Sequence, residues 1–456
     1  MLTGREIAKS VRGKIIAGNA DIQVSGFAID SRKIAAGNFF VPLKGEQSDG
    51  HNYIGDAFRN GAAGAFVAKE WSRNIHFNNL LIEVEDPLRA LQDLAAYYRR
   101  LHSVKVIGIT GSSGKTTTKD LTASVLGSTT EVLKTEGNLN NEIGLPLMLL
   151  RLRPEHKVAV LEMGMSGLGE IAFLAMLARP DIGIITNVGE AHIELLGSQE
   201  AIASAKGELI EALSTKGTAI LNGDDSYLRR MGSSFAGNTI FFGLGRDNLL
   251  RATDIKLVGQ GTKFKVFIPQ RGVIDFFIPL PGEHNVLNAL AAIAVGHYLG
   301  VEVEEMKTGL AHPQLSGMRL QLLDTPAGLK IINDTYNANP SSMRASLGVL
   351  RDLDAPLRVG VLGDMLELGE HSVQAHREIG HFAAEFLDYL LTVGEQAKYI
   401  AEEAKKKMNK GHVFHFTKKS TLIKKFKEFA LPKGTIVLVK GSRGMFLEEV
   451  IDQIKN

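Results

Sequence analysis

The chain has no cysteine among its 456 residues. Disulfides, thiolate metal sites and cysteine nucleophiles are thereby excluded, and any metal must be held by oxygen or imidazole. No sign of charge dominates either: 52 Lys and Arg against 50 Asp and Glu leave a formal +2, which argues against a nucleic-acid binder relying on backbone electrostatics. Uninterrupted apolar spans long enough for a bilayer are missing, and the opening MLTGREIAKSVRGKII lacks the continuous apolar stretch of a signal peptide. A cytoplasmic protein without a membrane span is the expectation. Repeats and low-complexity tracts are absent, and the one charge run, Glu402 to Lys410, reads as a solvated helical face.

What is present is an ordinary globular composition, 44% hydrophobic and 22% charged, in a chain longer than one core organises, so two or three domains are expected. The first hundred residues mix short strands and helices and end in the amphipathic pattern PLRALQDLAAYYRRLH, with a boundary at Ser103. From Val104 strand and helix alternate through VKVIGIT, KVAVLEMG, DIGIITNVG and GTAILNGDD, with helices around Ile171 to Ala178 and Ala201 to Leu213. That alternation predicts an α/β fold, a parallel sheet covered by helices. TKFKVFIP and GVIDFFIPL flank Gln270-Arg271-Gly272 and predict a hairpin or small sheet inserted before a helix Asn285 to Leu299. The alternation restarts near Leu315 with KIINDTY, SSMRASLGVLRDL, RVGVLGDM, LLTVG, HVFHF and TIVLVKG. The expected domains are therefore 1–103, 104–314 and 315–456.

Val104 to Thr118, VKVIGITGSSGKTTT, is the most informative stretch. Gly111 and Gly114 let the backbone curl so that successive N–H groups, with Ser112 and Ser113 between, face an anion. Lys115 adds a mobile positive charge, Thr116 a hydroxyl of the kind that ligates magnesium, and the helix from Thr117 to Leu126 the positive end of its dipole. The chemistry indicated is binding of a nucleoside triphosphate, although the spacing of the two glycines is shorter than in the generic phosphate loop. Polar residues at the carboxyl ends of strands are the next candidates, because ligands of open α/β sheets gather there. Glu162 ends VAVLE, where a carboxylate reaches a nucleotide's magnesium; the alternative is a helix-start cap. His192 follows IITNVGEAH as a candidate metal ligand or a structural histidine. Lys206, on a predicted helix, reads by itself as a solvated lysine.

Together these strings, with EGNLNNEIGLP, LEMGMSGLGEI, PGEHNVLNALAA, NDTYNANPSSMRASL, GDMLELGE and LVKGSRG, resemble the Mur ligases, ATP-dependent amino-acid ligases of peptidoglycan assembly, over essentially the whole chain. The pattern is most similar to the branch that joins D-alanyl-D-alanine to UDP-N-acetylmuramoyl-tripeptide. The resemblance implies a central P-loop ATPase domain, a Rossmann-like C-terminal domain that takes the dipeptide and closes on ATP, and a small mixed N-terminal domain for the UDP-linked substrate. It implies ATP and two Mg2+ ions as cofactors, with Lys115 on the terminal phosphates, Thr116 and Glu162 on one magnesium, and His192 on the other. Lys206 matches the lysine that the family converts with carbon dioxide to a carbamate supporting that second ion. Thr117 belongs to the same phosphate-binding string; Asn285 and Asn288 match residues near the adenine. Arg319 matches the arginine that reaches the phosphates, and Asp334, Tyr336 and Asn337 match residues by ribose and base. In AIDSRKIAAGNFFVPLKGEQSDGHNYI, Ser31, Arg32, Lys44, Gly45, Asp49 and His51 are candidate contacts to the UDP-precursor, as are Asn140 and Asn141, whose bland alternative is a turn. The short glycine spacing is the family's own. Absence of the Asp-Asn-Pro-Arg string of the diaminopimelate-adding sister favours a dipeptide substrate. A diaminopimelate- or lysine-adding ligase, a folylpolyglutamate synthetase and a non-catalytic ATP-dependent switch are the competing readings. No nucleic-acid partner is expected, and a monomer is.

Overall fold

The structure, a computed structural model, describes residues 1–46, 48–72 and 77–455. They form two compact α/β units, one of Met1–Gly108, Thr130–Met165 and Glu170–Asp181, the other of Ile109–Thr129, Ser166–Gly169 and Ile182–Asn456.

In the first unit, Lys14–Ala17, Leu80–Val84, Gly64–Ala68, Asn38–Phe40 and Gly26–Ala28 lie side by side in that order, the first pair antiparallel and the others parallel. Phe39 and Phe66 fill its core edge to face at 4.7 Å, the geometry that aromatic quadrupoles favour. The amphipathic pattern seen in the sequence forms the helix Pro87–Arg100. Asp86 starts it by accepting the Leu88 N–H at 2.8 Å, and Pro87 occupies the first turn, where its missing N–H costs nothing. Arg99 fixes the end by donating to the carbonyls of Ala178, His102 and Val104, next to the expected boundary at Ser103. The same unit holds the parallel pair Val132–Lys134 and Val158–Glu162.

In the second unit, Ile182–Ile185, Thr218–Asn222, Asn238–Gly243 and the start of Leu250–Val258 run parallel, and Gly261–Ile268 and Gly272–Ile278 continue the same sheet antiparallel. The expected hairpin is therefore real but is part of the large sheet. Asn238–Gly243 and Leu250–Val258 are absent from the sequence reading; the second breaks alternation with a bulge between Thr253 and Lys256 and exposes most of its residues. The phosphate-loop helix spans Lys115–Gly127, starting two residues earlier than predicted because Gly114, at φ 79°, makes the turn that begins it. The helix Glu283–Tyr298 packs against it with almost every residue from Asn285 to Gly296 buried, so no polar face interrupts its pattern.

The same unit ends in a six-stranded sheet ordered Gln321–Asp324, Lys330–Asp334, Ile436–Lys440, Arg358–Gly363, Tyr389–Val393, Val413–Phe416. Only the first pair is antiparallel. Its strands are apolar on both sides because helices cover both faces: Met343, Leu347 and Ile379 pack on one, Leu422, Phe426, Val450 and Ile451 on the other. The edge strand Gln321–Asp324 went unread, being half-exposed and polar at both ends.

Candidate active site

The phosphate loop is folded by its own chemistry. Gly111 sits at φ 149°, where a Cβ would fall 1.9 Å from Thr186 Oγ1, and a Cβ on Gly114 would fall 2.3 Å from Asn288 Oδ1. Neither position tolerates a side chain. Asn187, directly after the strand Ile182–Ile185, braces the loop: its Oδ1 accepts the Ser113 N–H at 3.0 Å, and its Nδ2 donates to the Ser113 carbonyl at 3.1 Å. Ser112 Oγ accepts the Gly189 N–H at 2.8 Å. Lys115 Nζ folds back over the loop, donating to the Gly111 carbonyl at 2.7 Å, so its charge stands where the backbone curls.

One cavity of the second unit brings together Ser113, Gly114, Thr117, Asn285, Asn288 and Arg319, all of them expected at the nucleotide. Asn288 links two helices, accepting from Thr118 Oγ1 at 3.2 Å and donating to Asn285 Oδ1 at 3.2 Å. Arg319 donates from Nη2 to Thr116 Oγ1 at 3.1 Å, and its guanidinium lies 3.9 Å from the centre of the Tyr336 ring. Its Nε is buried without a hydrogen-bond partner among the described residues, a donor suited to an anionic ligand. Tyr336 thus presents its face to an arginine, and Asn337 turns its side-chain oxygen to the Ala338 N–H at 2.8 Å. Asp334 lines the cavity but is engaged three times over: it pairs with buried Lys440, accepts Ser346 Oγ at 2.6 Å and accepts the Leu320 N–H at 3.2 Å. Against the penalty of burial, Lys440 holds its carboxyl below the usual range. His284, beside it in the cavity, is pushed down to about 4 by loss of water, the attraction of Asp334 being opposed by Lys440. Neither His284 nor Lys440 was singled out from the sequence, although both stand inside quoted strings.

Lys206 lies on the helix Gln199–Glu211, 1% exposed. Among the described residues its amine has no hydrogen bond or ion pair. Burial, with the nearby charge of Lys115, drives its pKa well below the lysine range. It is not the solvated lysine that its helix position suggested. His192 contacts Glu367 at 2.8 Å, and both residues adopt left-handed backbone, at φ 67° and 63°. The imidazole holds the Glu367 carboxyl below its usual value against desolvation. No cluster of three or more His, Asp and Glu stands ready for a metal among the described residues.

In the first unit, Glu162 ends its strand buried, accepts Asn140 Nδ2 at 2.9 Å and donates its N–H to Thr135 Oγ1 at 2.9 Å. Asn141 makes the turn: its Oδ1 accepts the Ile143 and Gly144 N–H groups at the start of Gly144–Leu149. Asp49 and His51 form one structural pair at 2.6 Å, and Ala68 N–H donates to His51 Nε2 at 3.0 Å while Trp71 stacks on the ring. Both ring nitrogens are thereby used, with the proton on Nδ1. Lys44 bridges to Asp49 through its backbone, and Gly45 donates its N–H to the Ser48 carbonyl. Ser31 is buried, and Arg32 is exposed and forked onto Asp30, whose carboxyl it lowers to about 2.

Three family models match: the Mur ligase family catalytic domain over 23–99, the Mur ligase middle domain over 109–296, and the Mur ligase glutamate ligase domain over 318–443. The UDP-N-acetylmuramoyl-tripeptide–D-alanyl-D-alanine ligase of Bacillus subtilis is 42% identical, covering 99% of this chain and 98% of its own. That of Escherichia coli is 37% identical over 95% and 94%. Among solved structures, a MurF from Acinetobacter baumannii superposes with TM-score 0.89 at 33% identity, covering 99% of this chain and 98% of its own. The MurF ligase of Thermotoga maritima in complex with ADP gives 0.83 at 30% identity, covering 94% and 97%.

Proposed function

The chain belongs to the Mur ligase family, and from that premise we infer that it is the ATP-dependent enzyme adding D-alanyl-D-alanine to UDP-N-acetylmuramoyl-tripeptide in peptidoglycan synthesis. Identity over the full length to enzymes of that name carries this reading, and the cavity beside the phosphate loop supports it. The remaining assignments are our own proposals. The three domains are 1–103, 104–314 and 315–456, serving the UDP-linked substrate, ATP and the dipeptide. The protein works as a monomer in the cytoplasm, where ATP is available.

In the proposed reaction the terminal carboxylate of the tripeptide attacks the γ-phosphorus of ATP, releasing ADP and leaving an acyl phosphate. The dipeptide amine then attacks the acyl carbon, phosphate leaves, and the amine proton passes to solvent. Both first-step reactants are anions, so cations must cancel their repulsion, and Lys115 and Arg319 supply two fixed ones. Arg319 fits because a buried, unpartnered Nε on a guanidinium anchored at Thr116 is ready to donate to a phosphate. Thr116 and Glu162 would hold one magnesium, His192 and a carbamate of Lys206 the other; bound there, magnesium would screen the phosphate charge. Lys206 suits the carbamate because only a neutral amine forms its N–C bond to carbon dioxide, releasing one proton. Asn140, paired with Glu162, would orient that carboxylate. Ser31, Arg32, Lys44 and Gly45 are proposed for the UDP moiety, with Asp49 and His51 as its scaffold.

The test is phosphate release by the purified full chain given the tripeptide precursor and a panel of amines. D-alanyl-D-alanine should drive release, whereas diaminopimelate and lysine should not. Release that is independent of any amine would replace the ligase with an ATPase or a switch.

A further inference from the structure

Arg319 stands on a strained arch. Met318 and Leu320, on either side, hold φ of 61° and 46°, left-handed conformations that residues with side chains avoid unless their surroundings impose them. The arch is tied at its far end, where Leu320 N–H donates to Asp334 at 3.2 Å. Its near end is tied to the phosphate-loop helix. Thr116, Asp120 and Ser124 follow one another at four-residue intervals on one face of Lys115–Gly127, and the segment 314–319 runs along that face toward the phosphate loop. Gln314 N–H donates to Ser124 Oγ at 3.1 Å, Ser316 N–H to Asp120 Oδ2 at 2.7 Å, and Arg319 Nη2 to Thr116 Oγ1 at 3.1 Å. Lys119, wholly buried, tightens the middle contact, lying 3.1 Å from Asp120 Oδ1 and donating to Ser316 Oγ at 3.2 Å.

We infer that Asp120, with Ser124 behind it, is a positioning residue for the ligase reaction: it holds the arch in the register that delivers the Arg319 guanidinium to the phosphate end of the helix. The inference rests on the reading that Arg319 contacts the nucleotide. A charged acceptor on a part-buried N–H is the strongest of the three ties, and without it the left-handed residues relax and Arg319 loses its aim.

The experiment is calorimetric binding of Mg-ATP to the full-length protein in the wild type, Asp120→Asn, Arg319→Ala and the double variant, with thermal midpoints recorded alongside. Arg319→Ala should raise Kd about tenfold or more, and Asp120→Asn about three- to tenfold. In the Arg319→Ala background Asp120→Asn should change Kd less than about twofold, since its effect passes through the missing guanidinium. An unchanged Kd for Arg319→Ala would reject the nucleotide contact itself. A damaging Arg319→Ala with an Asp120→Asn penalty that is the same in both backgrounds would overturn the positioning role. A purely structural Asp120 would lower the midpoint in both backgrounds without such coupling. Should Asp120→Asn fail to fold around Lys119, Ser124→Ala, which keeps a good helix former, makes the same test: about a twofold loss in the wild type and none without Arg319. No loss, or equal losses, would overturn the inference.

Discussion

Two regions of the second unit bury a lysine almost completely, and they treat it in opposite ways. Lys440, at the end of the strand Ile436–Lys440, is 2% exposed and Lys206, on the helix Gln199–Glu211, is 1% exposed. Lys440 keeps company with the Asp334 carboxylate and the Asn337 carbonyl at 3.0 Å. Burial lowers its pKa and Asp334 partly restores it. Among the described residues Lys206 has no such acid, and Lys115 is another cation that pushes the same way as burial. Equal burial thus leaves a lysine with an ion-pair partner in one region and, among the described residues, one without in the other; the partner sets how far each is perturbed, because desolvation penalises the charge at both.

The largest way to break the comparison is to remove the structural lysine. Lys440→Met should cost about 3–5 kcal/mol of stability, because Asp334 would be left as an uncompensated buried carboxylate. Urea unfolding measures this, and a loss no greater than for an ordinary surface substitution would show that Lys440 is not what neutralises Asp334. Removing Lys206 should act on turnover instead. Lys206→Ala should cost stability only through the cavity left by a buried side chain, since no ion pair is lost, yet lower turnover about a hundredfold to a thousandfold, the usual range for losing one electrostatic stabiliser. Short carboxylic acids should restore part of that turnover by standing in for the carbamate. Failure of rescue would reject the carbamate role of Lys206.

The phosphate loop was legible because its chemistry is contiguous: Gly111, Gly114, Lys115 and Thr116 lie within one turn of chain, and glycine, lysine and hydroxyl each advertise their use. The two lysines were not legible in this way. Asp334 and Lys440 are 106 residues apart, so nothing local distinguishes their pair from two polar strand ends. Asp120 meets Ser316 across 196 residues, so nothing local marks their contact. Lys206 was assigned only through family resemblance; its helix position pointed to solvent, and burial by other elements reversed that. The alternating core of the terminal sheet was readable for the same reason as the loop, since apolar runs such as VGVL and IVLV declare strands buried on both faces. Strands exposed on one side, Leu250–Val258 and Gln321–Asp324, carried no such run and were missed.

A third base sharpens the comparison by titrating in an accessible range. His284 shares the cavity with Asp334 and Lys440, and its pKa of about 4 in the folded chain lies below the ordinary 6.5. Between those values the unfolded chain binds a proton that the folded chain refuses, so stability must rise with pH there, by up to about 1.4 kcal/mol per pH unit for one proton. Above 6.5 both states are neutral and the contribution is flat; as pH falls from 6.5 toward 4, it is lost. His284→Gln keeps a polar side chain without that titration, so urea midpoints taken from pH 4.5 to 7 should fall less steeply toward acid in the variant. Parallel slopes would mean that the folded chain protonates His284 as readily as the unfolded one, and that Asp334 offsets the burial of a second base in the region where it already neutralises Lys440.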